Sequence, residues 1–231
     1  MLIVGLQFLF WTIGGFYFSL FNIHDIHGEG LVKKPEQVTM DLVNYDAPQL
    51  IANFPDAKNI KLYAIGNTPH WQFTIETALG ETQKAVVDAT TGEFREAISE
   101  QEAKQLATQA FSGDTKVKEV ALISKQTPTP FELSRRHLPV WQISFDGWQY
   151  PTLYISQITG EVVTKRHVWW RIFDVFWRLH IVDPLYGTNV QNPFLTLLGV
   201  MALVTTMAGI ILTWLMVLTP YFRKRTLGGP V

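Results

Sequence analysis

HWQFTIE (70–76), followed by VVDATTGEF (86–94), returns about 70 residues later as VWQISFD (140–146) followed by LYISQITGEV (153–162). Trp71 aligns with Trp141, and Thr91-Gly92-Glu93 aligns with Thr159-Gly160-Glu161 after a shift of two residues. Apolar and polar residues alternate on both sides of each T-G-E. That is the pattern of half-buried antiparallel strands, so T-G-E is read as the turn that joins them. A helix precedes each pair. SEQEAKQLATQAF (99–111) has Ser99 as its cap and Glu102 at the capping-box position; a less regular helix lies near APQLIANF (47–54). The unit is a helix followed by antiparallel strands, used twice.

Outward from this repeat, the two ends of the chain change character. Residues 2–21 and 194–218 carry no charge, and each is long enough to span about 30 Å of hydrocarbon at about 1.5 Å per helical residue. The first run lacks a basic leader and exceeds the apolar core of a signal peptide, so a retained anchor is expected. Arg223, Lys224 and Arg225 follow the second run and mark that end as cytoplasmic. Both termini are then inside and the middle domain outside, on the periplasmic side of a cytoplasmic membrane. Small residues recur at helical spacing, Thr12, Gly15 and Ser19 in the first run and Ala202, Thr206, Gly209 and Thr213 in the second. They are read as faces where helices pack together or dimerise, or as a slot for a flat cofactor. Neither run contains an ionisable side chain, which excludes a proton or ion relay through the bilayer centre.

The net charge of −1 implies no nucleic-acid partner. The absence of cysteine excludes thiol chemistry, cysteinyl iron–sulfur clusters and covalent haem attachment. There is no HExxH, P-loop or G-x-S-x-G.

Chemistry concentrates in RHVWWRIFDVFWRLHIVDP (166–184). Trp169, Phe173, Phe176 and His180 follow at steps of 4, 3 and 4 and share a helix face; Arg171, Asp174 and Arg178 share the opposite face and can pair along it. An aromatic amphipathic helix beside a span belongs at the lipid interface. After the first span, His24, Asp25, His27 and Glu29 place four possible ligands in six residues, with Gly28 and Gly30 ending any helix there. Each group has an ordinary reading, a buried histidine on an aromatic stripe or a polar helix end. Together they describe a low-spin haem: His27 and His180 as axial ligands, Trp169, Phe173 and Phe176 as walls, and Arg171 and Arg178, or Arg135 and Arg136, for the propionates. His24 is a weaker metal candidate, and direct capture of a borderline metal by His24, Asp25, His27 and Glu29 is an option without haem. His70 and His137 read as surface residues.

The D-x-x-T-G-E-like turn of Asp88–Glu93, matched in its second half by Ser156–Glu161, resembles the PepSY domain family. The span–domain–span layout resembles the short, two-span members of the PepSY-associated transmembrane family. Ile26-His27-Gly28-Glu29, Leu138-Pro139-Val140-Trp141, Leu153-Tyr154-Ile155 and Trp170 through Asp183 carry the likeness. It implies an α+β membrane protein in which two transmembrane helices flank an extracytoplasmic domain of two PepSY-like repeats. The expected division is a first span (1–23), two units (28–98 and 99–166), an interfacial helix (167–183), a second span (193–219) and a cytoplasmic tail (220–231). Larger members include haem-containing membrane reductases of ferric iron. The likeness therefore implies non-covalent haem b held by His27 and His180, with ferric iron or a ferric chelate as acceptor. The donor is unknown and the assembly is expected to be a lipid-embedded homodimer, since two helices enclose a porphyrin poorly. PepSY units also occur in protease propeptides. The competing expectation is a membrane-tethered regulator of an extracytoplasmic peptidase, without haem.

Overall fold

The computed structural model describes residues 2–34, 38, 40–77, 80, 82–185 and 187–219. The basic tail at 223–225, on which the expected orientation rests, lies outside the described residues. In chain order the elements are α1 (Leu2–Leu20), α2 (Ile23–Ile26), α3 (Ala47–Asn53), β1 (Lys58–Ile65), β2 (Thr68–Glu76), β3 (Thr82–Asp88), α4 (Glu100–Ala110), β4 (Val117–Ile123), β5 (Val140–Phe145), β6 (Thr152–Ser156), β7 (Val162–Arg166), α5 (Val168–His180) and α6 (Pro193–Thr213). They form two compact units: Ile23–Arg171, and Met1–Asn22 with Ile172–Val231.

The unit Ile23–Arg171 is mixed α+β, with two antiparallel sheets ordered β1-β2-β3 and β4-β5-β6-β7. Their registers coincide. Trp71 on β2 lies between Leu62 and Val87, and Trp141 on β5 lies between Leu122 and Ile155. Each indole N–H donates to a carbonyl two residues before the following helix: Trp71 to Tyr45 O (2.8 Å) ahead of α3, and Trp141 to Ile98 O (2.7 Å) ahead of α4. The two T-G-E turns are closed by the same bonds. Asp88 N–H donates to Glu93 O and Gly92 N–H to Asp88 O; Ser156 N–H donates to Glu161 O and Gly160 N–H to Ser156 O. Gly92 and Gly160 both sit in the left-handed region, at φ 78° and 70°, which a residue without Cβ enters freely. Asp88 Oδ1 and Ser156 Oγ each accept the N–H groups two and three residues on. The copies diverge after the turn, where the first makes a single bridge, Val87 to Phe94, and the second builds β7.

Each sheet is covered by its helix. Ala103 and Ala107 of α4 pack on Trp141, Ile143, Phe145, Leu153 and Ile155, and Phe111 stacks on Phe145 at 4.1 Å. Small residues on this face let the helix axis approach closely. On the other sheet, Leu50 of α3 packs on Phe73 and Val87. Each fully buried Leu or Phe contributes about 1.5–3 kcal/mol. The less regular helix of the sequence has the more complete start: Asp46 Oδ1 accepts from Gln49 N–H, and the Gln49 side chain accepts from Asp46 N–H. At α4, Ser99 accepts from Glu102 N–H, but the Glu102 carboxylate bonds Arg95 instead of returning to the cap.

In the other unit, α1 and the continuous helical run Pro193–Val217 are long and apolar enough to cross a membrane. The small-residue stripes lie largely on exposed faces of the two helices. Thr12, Gly15, Ser19, Thr206, Gly209 and Thr213 are exposed, and Ala202 is the buried member of the set. The reason lies in α5: its Phe176 sits 3.7 Å from where a side chain on Gly14 would begin, so α1 turns Gly14, not Gly15, inward.

Candidate functional site

The aromatic face of α5 forms, and α1 covers it. Phe173 lies 4.9 Å from Phe18, Phe176 lies 5.4 Å from Tyr17, and His180 lies 5.9 Å from Phe18 and 6.2 Å from Trp11, ring centre to ring centre. A helix end leaves carbonyls without partners, which is costly among apolar side chains. Here Gln7 Nε2 donates to Leu179 O (3.0 Å) and Trp11 Nε1 to His180 O (2.8 Å). Sequence patterns did not mark Gln7 and Trp11 for this capping role, although Gln7 is an amide inside an uncharged run. His180 Nδ1 is buried and has no hydrogen-bond partner among the described residues.

After His180 the chain makes a built turn into α6. Val182 adopts φ 55°, an unusual conformation for a β-branched residue. Asp183 Oδ2 accepts the N–H groups of Thr188 and Asn189. Asn192 caps α6 through Leu195 N–H and donates to Ile181 O (2.8 Å).

Of the arginines assigned to propionates, Arg171 and Arg178 are bonded within the protein, and Arg135 and Arg136 are exposed. Arg178 pairs with Asp174 (2.5 Å), as the helical spacing predicts, and donates to Leu185 O. Arg171 does not join that row. It binds the buried Glu132 through Nε (2.6 Å) and Nη2 (2.9 Å), and donates to Tyr150 O and Thr152 Oγ1. Glu132 also accepts from the buried Tyr154 hydroxyl (2.7 Å). Trp169 meets Trp148 edge-on at 6.0 Å, and the Arg166 guanidinium stacks over Trp170 at 3.8 Å.

At the other candidate, the helix does not continue past residue 21. It breaks and re-forms as the single turn α2, ended by Gly28 at φ 68°. His27 is exposed just beyond that turn, and His24 is exposed and bonded to Glu29 (2.9 Å). That bond raises the His24 pKa. Among the described residues no three His, Asp or Glu side chains are grouped to hold a metal. His27 and His180 belong to different compact units.

Two histidines outside the expected ligand pair are buried. His167 bonds Asp25 O (3.0 Å) and Ile26 O (3.1 Å) through Nε2, closing the end of α2, and burial lowers its pKa. His70, expected in a surface turn, lies in β2 and is 1% exposed. Its Nδ1–H donates to Thr68 O (2.9 Å), and Nε2 accepts from Arg95 Nη1 (2.8 Å), which itself pairs with Glu102. Burial lowers the His70 pKa. The repeat carried a signal: aligning Trp71 with Trp141 sets His70 opposite Val140, which is also buried, but Thr68 and Pro69 beside it read as a loop.

Neither a search of curated proteins nor a search of solved structures finds a match. The family model that does match covers α4 through β7, the second of the two repeats. Residues 97–166 match PepSY, the peptidase propeptide and YPEB domain.

Proposed function

We propose that the chain is a membrane-anchored PepSY protein whose domain regulates an extracytoplasmic peptidase. The observation that carries this reading is the match of residues 97–166 to a peptidase-propeptide domain, in a segment that folds as a complete helix-on-sheet unit with its own core. The first repeat supports a second, diverged copy of that domain, because its turn, tryptophan and helix start repeat the same bonds. Both termini of the module lead into helices long and apolar enough to hold it at a membrane. Full-length protein in lipid discs, added to the peptidases secreted by its own cell, is expected to suppress casein hydrolysis in proportion to the amount added. Unchanged hydrolysis at a large excess of the protein rejects the reading.

A second reading, haem b ligated by His180 for electron transfer to ferric iron, is favoured by one observation, the buried Nδ1 without a partner among the described residues, on a ring flanked by Trp11 and Phe18. The rest of the expected set fits less well. Phe173 and Phe176 pack on α1, and Arg171 and Arg178 are bonded to Glu132 and Asp174. An absorption spectrum of protein from haem-replete cells decides it. The haem reading requires a Soret band that His180→Ala removes, and a colourless preparation rejects it.

A further inference from the structure

Besides Phe94 on the first repeat, three large aromatic side chains among the described residues are largely exposed on the PepSY-containing unit: Phe131 is 64% exposed, Trp148 67% and Tyr150 60%. They come from two loops, 127–136 and 146–151, and both loops are tied to the first turn of α5. Val168 N–H donates to Gln149 O (2.8 Å). Arg171 donates to Tyr150 O (2.9 Å) and, in the same turn, to the carboxylate of Glu132, the neighbour of Phe131. Trp148 is braced edge-on by Trp169. Tyr150 is held at φ 48°, a conformation rare for a bulky side chain, with its N–H bonded to Gly147 O. Such outliers persist where the surroundings over-determine them, and they cluster at binding surfaces.

The same surface carries positive charge. Arg135 lines a shallow cleft of about 380 Å³ with Phe131, Pro128 and Pro130. Arg136 is exposed beside it, and Arg166 stacks on Trp170. Asp146 is the exposed acid of these loops. Grouped Phe, Trp and Tyr interleaved with arginine have the composition of a surface that enters the headgroup layer of a bilayer: rings sit at the apolar boundary and guanidinium groups meet phosphates. Chain continuity brings that layer to hand. The patch is built on Val168–Arg171, and the next residue, Ile172, begins the unit that bears the apolar helices.

We propose that the loops bearing Phe131, Trp148 and Tyr150 dock the domain onto the phosphate-bearing headgroup layer of the membrane that holds its anchors. This rests on the membrane reading of α1 and α6, and the test separates the two. The chain has no cysteine, so Ser134→Cys, Asp56→Cys and Leu9→Cys each give one labelling site without removing a patch aromatic. Full chain carrying a fluorophore at one site is reconstituted in mixed phosphatidylcholine–phosphatidylglycerol vesicles containing nitroxide-labelled lipid. Headgroup nitroxide is expected to quench the label at 134 several-fold more than the label at 56. The combined Phe131→Ser, Trp148→Ser and Tyr150→Ser variant is expected to bring 134 down to the level of 56. Equal quenching at 134 and 56 overturns the proposal. So does a label at 134 that is shielded from water-borne iodide yet untouched by lipid nitroxide, which would mean a protein occupant such as a second copy. Acyl-chain nitroxide quenching at 9 reports the anchor separately: if 9 is quenched and 134 is not, the docking fails and the membrane reading stands.

Discussion

The Arg171 guanidinium grips the buried Glu132 carboxylate with two bonds, 2.6 and 2.9 Å long, across 39 residues of chain. Paired in this way, a carboxylate can be buried; alone it cannot. Glu132→Ala should leave Arg171 and the Tyr154 hydroxyl without their acceptor and cost about 3 kcal/mol or more. The double replacement Glu132→Leu with Arg171→Met should recover much of that loss. Denaturant unfolding of the single and double variants checks this, and equal losses in both would refute it.

Gly160 holds φ 70° at the tip of the second T-G-E turn, and a side chain there would begin 3.1 Å from the Ile65 methyl. Gly160→Ala combines a left-handed alanine with that contact and should destabilise by about 1–3 kcal/mol. The cost at Gly92, where the Tyr45 ring stands 2.7 Å away, should be at least as large. Melting temperatures of the two variants test the order.

Acid should loosen the domain through His70. In the fold it is neutral at Nε2, which accepts from Arg95, and burial holds its pKa below the ordinary histidine value. A depressed folded pKa means that the unfolded chain binds protons first. The stabilisation is therefore present above about pH 6.5 and declines as pH falls below it. Asp88, 4.0 Å away, and Glu102, bonded to Arg95, face the same ring and soften the loss without reversing it. His167, lowered by burial in the same direction, adds to the trend. Melting temperatures from pH 7.5 to 5 should fall for the wild type and fall less for His70→Gln. Parallel curves for the two would contradict this account.

Trp11→Phe keeps the ring beside His180 but removes the donor to His180 O. The expected cost is about 0.6–2 kcal/mol, since hydrogen bonds between apolar helices are modest in net effect. Gln7→Leu should add a similar loss at Leu179 O. Resistance to denaturing detergent, scored by protease cleavage in residues 181–192, should drop for each variant and drop further for both together.

Local pattern carried far in this chain. Alternation and the repeated tryptophan marked β2, β3, β5 and β6, and Ser99 marked the start of α4, because each depends on residues close in sequence; the T-G-E turn joins two strands in the second copy, whereas in the first only the Val87–Phe94 bridge follows it. The edge strands β1 and β4 escaped, since Lys58 and Lys61 break the alternation of the first and Lys118 and Glu119 that of the second. The i, i+4 pair Arg178–Asp174 was visible for the same local reason, whereas the partner of Arg171 was not, being 39 residues away. Helical spacing also placed Phe173, Phe176 and His180 on one face. It could not say what covers that face, because a wheel diagram names a stripe and leaves its neighbour blank. The burial of His70 likewise depended on Arg95, which no spacing rule connects to it.

His167 holds the two ends of its unit together, with one ring nitrogen against the carbonyls of Asp25 and Ile26. The whole α+β unit is thus an insertion between α1 and Ile172 whose entry and exit are clasped. To the flanking helices, a tether of nearly 150 residues becomes, once the insertion has folded, one of only a few. Loop-closure entropy grows with the logarithm of length, so this shortening favours the meeting of α1 with α5 by about 3 kcal/mol. The coupling is reciprocal: the aromatic clasp of Trp11, Phe18 and His180 shortens by the same measure the loop that the inserted unit must close.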